Sequence, residues 1–158
     1  MQKDTKMHQY TASVRWERQG VPFTDRKYPR AHVWRFDGGI EVPGSSSPLV
    51  VREPLSDPRA VDPEEALVAS ASSCHMLFFL DFASRNGLVV DSYQDEAVAS
   101  MGTDGTGKVY VAKIELKPKV EFEGRTPSDN ELAELHHRSH EACFIANSLK
   151  SEVTVTPA

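Results

Sequence analysis

The chain has 158 residues, 39% of them hydrophobic and 26% charged, enough apolar material for one sizeable core and short for two, so a single domain over 1–158 is expected. A formal net charge of −5 gives no electrostatic footprint for a nucleic-acid partner. The longest apolar run, Met76 to Leu80, ends at Asp81 and falls short of a membrane span, and the polar start MQKDTKMHQY lacks the apolar stretch of a secretory leader, so the expected setting is the cytoplasm with no membrane partner.

Residues 8–17 alternate, with Tyr10, Ala12, Val14 and Trp16 on one side, which predicts a strand with one buried face. His32 to Phe36 follow as a second strand, and Gly38-Gly39 turns into a short third, Ile40 to Val42. Gly44 to Ala60, rich in Pro, Ser and Asp, reads as a long loop of the kind that carries function or covers something. Asp62-Pro63-Glu64-Glu65 then starts a helix, with a capping acid, proline at the first helical position and Glu65 reaching back. It should run to about Arg85, since Asn86-Gly87 is a stop signal. Small residues from Ala66 to Ser73 and the apolar MLFFL after them predict a central, largely buried helix.

Residues 88–101 predict a fourth strand and TDGTG, 103–107, a hairpin turn. In the fifth strand Ala112, Ile114, Leu116, Val120 and Phe122 alternate with charged residues, and Pro118, on the buried phase, signals an edge or a bulge. Thr126-Pro127-Ser128-Asp129 opens a second helix reaching about Ala142, and Val153 and Val155 mark a last strand. The order βββαββαβ is an α+β class with antiparallel sheets around a long helix.

The chain has two cysteines, Cys74 in SASSCHMLFFL and Cys143 in HEACFIANS. In a reducing compartment a transient catalytic pair is more usual than a structural disulfide, while two inert buried thiols are the plain alternative. A thiolate needs a nearby cation, a helix N-terminus or a metal. Cys74 lies about three turns inside its helix, beyond that helix's own dipole, so a cation must come from elsewhere. Cys143 sits where one helix ends and another turn begins, a candidate N-cap. His136, His137 and His140, with Cys143, have a spacing able to bind zinc, so a metal-binding module is a rival reading.

The run Asp62-Pro63-Glu64, the ten residues from Glu64 to Cys74 through a helix of small residues, and Cys143-x-x-x-Asn147 before a final strand resemble the OsmC/organic hydroperoxide resistance family. The element order agrees with that fold over roughly residues 8–156. The resemblance implies an intertwined homodimer and a thiol-dependent, peroxiredoxin-like hydroperoxide reductase of the oxidative stress response, with no cofactor and no metal. Cys74 would be the peroxidatic cysteine, Cys143 the resolving one, and Glu64 the acid pairing with an activating arginine, Arg30 first and Arg26 second. The substrate implied is an organic hydroperoxide and the reductant an external dithiol, often lipoyl-linked in the family. A non-catalytic binding protein on the same fold would share the element order. On a straight helix Glu64 and Cys74 stand about 15 Å apart along the axis. Either the helix is broken between them or the site is completed across a dimer.

Overall fold

The computed structural model describes residues 8–158; the first seven residues of the polar start lie outside the described residues. The chain divides into two compact units, Met1–Pro63 and Glu64–Ala158.

In the first unit β1 (Ala12–Arg15), β2 (His32–Phe36) and β3 (Glu41–Gly44) form an antiparallel sheet in that order. The Gly38-Gly39 turn between β2 and β3 is as expected, with Gly39 at φ 84, where a side chain would be strained. The expected buried face of β1 is not covered: Val14 is 67% exposed. Alternation there gives an apolar side that the described residues of this unit do not bury. Phe23 and Tyr28, stacked at 4.6 Å, turn against Trp16 on it. The long loop is tied down by its backbone, through Arg30 N–H to Leu55 O, Asp57 N–H to Ser45 Oγ, and a parallel bridge between Gly44 and Val61. Gly44 must be glycine, because a Cβ there would lie 2.6 Å from His32 Nε2 and 2.9 Å from Trp34 Nε1.

The second unit is built along α1 (Pro63–Arg85), one unbroken helix that ends as expected. Gly87 adopts φ 72 and Leu88 N–H returns to Ala83 O, the left-handed helix stop that glycine permits. Burial is narrower than the apolar composition suggests. A stripe at every fourth position, Ala71, His75, Phe79 and Ala83, is buried, whereas Leu77 is 61% exposed. By length and composition α1 is also long and apolar enough to cross a membrane, against the expectation that no segment is. The expectation counted an uninterrupted run, and the small residues before Cys74 extend the apolar window beyond MLFFL.

Two expected strands each resolve into two. β4 (Val89–Asp95) and β5 (Val98–Thr103) replace the fourth, and β6 (Val109–Leu116) and β7 (Pro118–Glu123) replace the fifth. β4 pairs with β7 and β5 with β6, so one long hairpin breaks at a single level into two sheets. At the break Asp95 accepts the Lys117 N–H at 2.6 Å and a hydrogen bond from the Ser72 hydroxyl on α1. Pro118, opposite Asp95, has no N–H to give. β8 (Glu152–Val155) adds to β6 in parallel, the exception to the antiparallel pairing expected.

Helix α2 (Asp129–Ala142) is capped by Ser128, whose Oγ accepts the Glu131 N–H, two residues later than the Thr126 start expected. Two core clusters result. Phe79, Ala83, Leu88 and Leu135 join α1, β4, β7 and α2, while Ala71, Ile114 and Leu116 join α1 to β5, β6 and β8.

Candidate active site

Cys74 projects from the side of α1 away from its buried stripe and is half-buried. It lines a cavity of about 480 Å³ with Leu77, Phe78, Phe144 and Ile145, and with Ser70, Ser73 and Asp81 as polar members. An apolar hollow of this size, holding one nucleophile, suits a small organic ligand.

Cys143 is the residue after α2 and is 1% exposed. Its N–H returns to His140 O, and its sulfur accepts the Ala146 N–H at 3.4 Å as the chain enters the 3₁₀ turn Ala146–Ser148. Cys143 is therefore the C-cap of α2 and not the N-cap expected: the N-cap of the 3₁₀ turn is Ile145, because the chain takes two further residues to turn after α2 closes. Burial pushes the Cys143 thiol upward, the Ala146 N–H pulls the other way, and the Cys74 thiol, its hydrogen-bonding neighbour, raises it further. Both cysteines are free thiols. The two are thus brought together, one half-open to a cavity and one buried beside it.

Arg30 belongs to the first unit. Its guanidinium donates to Tyr28 O and, at 3.0 Å, to Arg26 O, and lies 3.8 Å from the centre of the Tyr28 ring. It lines a second cavity of about 440 Å³ with Trp16, Phe23, Tyr28 and His32. Elsewhere in that unit Arg15 pairs with Glu17 and Arg59 with Asp57. Arg26 is exposed and holds φ 65. Glu64 is half-buried in the first turn of α1. Because the helix is continuous, Glu64 stays about 15 Å along the axis from Cys74, and the broken-helix alternative falls.

The histidine and cysteine cluster does not assemble as a zinc site. His136 Nδ1 meets His75 Nε2 at 3.1 Å, and its ring stacks on Phe79 with centroids 4.5 Å apart. Cys143 turns to Cys74, and among the described residues no group of three or more His, Cys, Asp and Glu is arranged to hold a metal ion. Helical spacing put His136 and His140 on one side of α2, but the core took His136. The sequence reading missed the His75–His136 pair. His75 had a signal, four residues from both Ala71 and Phe79 on the buried stripe.

Over residues 56–158 the sequence matches the family described as OsmC-like protein. Among solved structures, an OsmC-like protein of unknown function from Vibrio cholerae O1 biovar eltor has a TM-score of 0.94 and 47% sequence identity, covering 96% of this chain and 100% of its own. An organic hydroperoxide resistance protein from Elizabethkingia anophelis, 14% identical, has a TM-score of 0.71 over 98% of this chain and 99% of its own. The organic hydroperoxide resistance protein OhrB of Bacillus subtilis, 15% identical, has a TM-score of 0.67 over 96% and 98%. At those two identities the likeness is one of fold. No curated protein matches the chain in sequence.

Proposed function

The chain belongs to the OsmC-like family, and from that premise we propose that it is a cysteine-based peroxidase reducing organic hydroperoxides to alcohols. The observation that carries this is the pair itself, with Cys74 at an apolar cavity and Cys143 as its buried thiol neighbour. The Cys74 thiolate attacks the peroxide O–O bond, and the departing alkoxide takes a proton to leave as the alcohol, with Cys74 as the sulfenic acid. The Cys143 sulfur then displaces the sulfenic oxygen as water, giving the Cys74–Cys143 disulfide. Two electrons and two protons from an external dithiol restore both thiols. Burial pushes the Cys143 thiol up, which disfavours it as the thiolate that attacks the peroxide.

Arg30 is the cation assigned to the Cys74 sulfur and the leaving oxygen, with Glu64 as its carboxylate partner and a second copy of the chain completing the site. The reductant assigned is a dithiol, lipoyl-linked in kind, and the setting the cytoplasm. Non-reducing mass spectrometry after one equivalent of an organic hydroperoxide tests the chemistry and should show a Cys74–Cys143 linkage. Cys74→Ser should consume no peroxide, whereas Cys143→Ser should turn over once and stop as sulfenic or over-oxidised Cys74. Equal loss of the first turnover in both variants rejects these roles, and peroxide binding without consumption in the wild type selects the non-catalytic alternative.

A further inference from the structure

Resting on the peroxidase reading, we propose that Phe144 is a specificity-determining residue that selects hydroperoxides bearing an aromatic ring. Phe144 is 68% exposed. It does not wave free, however. Its ring stands edge-on to Phe78, with centroids 5.1 Å apart and planes at 89°, and both rings line the Cys74 cavity. Phe78 is braced from behind by Phe82 at 6.1 Å, and the Arg138 guanidinium lies over the Phe82 ring at 4.4 Å. A fixed ring thus supports a second ring whose outer side is open, at the wall of a cavity of about 480 Å³ that holds the reactive sulfur.

An aryl group entering this cavity can add a third ring to the series, by an edge-to-face or offset contact with Phe144 or Phe78. Such a contact contributes beyond the area it buries, equivalent to about 2- to 12-fold in a rate ratio. A methyl group in the same place gains burial alone. The contact is made by the part of the substrate that does not react, so it orients the O–O bond toward Cys74 without taking part in the chemistry.

Cumene hydroperoxide and tert-butyl hydroperoxide differ only in a phenyl for a methyl on the carbon bearing the peroxide, so the ratio of their kcat/KM values isolates the ring. In Phe144→Leu that ratio should fall about 2- to 12-fold, with the thermal midpoint held because the side chain is mostly exposed. An unchanged ratio overturns the assignment of Phe144. Consumption of neither peroxide by the wild type overturns the peroxidase reading, and the substrate assignment with it. Independently of turnover, 2-phenyl-2-propanol should bind Cys74→Ser protein more tightly than it binds the Cys74→Ser, Phe144→Leu double variant in NMR titrations. Equal binding rejects the aromatic wall whatever the enzyme's rate.

Discussion

His75 and His136 share one hydrogen bond between two imidazoles, and each has its other ring nitrogen buried without a partner among the described residues. Such a pair tolerates one proton between the rings and resists a further one. Burial pushes both down to about 4, and the neighbouring His136 and His140 add to the effect on His75 while Asp95 opposes it on His136. Their ordinary value is 6.5, so above that pH neither state binds the proton and the pair adds no pH dependence. Between 6.5 and about 4 the unfolded chain takes up protons that the folded one refuses. Stability therefore falls as pH drops through that window and levels off below it, by at most roughly 3 kcal/mol per imidazole. Urea midpoints at pH 7 and pH 4.5 should differ more for the wild type than for His136→Gln, which keeps a hydrogen-bonding group without the titration. An equal fall in both would remove the pair as the cause. His75 was legible as a core residue from its helical phase, but its partner lies 61 residues away, and no local pattern links the two.

The helices were legible because their ends carry chemistry that acts within a few residues, namely Pro63 at the start of α1 and Gly87 at its stop. The break that turns two long strands into four depends instead on Asp95 reaching across the hairpin and to α1, which alternation cannot report. Asp95 takes the Lys117 N–H and the Ser72 hydroxyl at the level where the hairpin divides into two sheets. Asp95→Ala should leave both donors without that acceptor and cost about 2–4 kcal/mol in chemical denaturation. Asp95→Asn keeps an oxygen for Lys117 and lets the Ser72 hydroxyl rotate to accept, so less than half of that loss is expected. Equal losses in the two variants would mean that the carboxylate's charge, rather than its acceptors, secures the break.

At the scale of the whole molecule, the two cysteines that meet in the structure stand out in the chain, whereas no local pattern decides between Arg30 and Arg26 as the cation proposed for Cys74, because a cation is specified by position in space and not by a neighbour in sequence. The unbroken α1 holds Glu64 about 15 Å along its axis from Cys74, so one copy of the helix does not bring acid and thiol to one point. Completion by a second copy is the arrangement proposed, and subunit mixing tests it directly. Arg30→Ala alone and Cys74→Ser alone should each lose most of the peroxidase activity. If Arg30 of one copy serves Cys74 of the other, a mixed dimer of the two variants has one site with both groups intact and one with neither. Unfolding the variants together and refolding them at equal amounts should then yield mixed dimers with about half the activity of wild-type dimers, by the counting of one restored site in two. If arginine and cysteine act within one copy, every site in the mixture lacks one of them. Activity would stay at the level of the separate variants, and that outcome would remove the shared site while leaving the Cys74–Cys143 chemistry untouched.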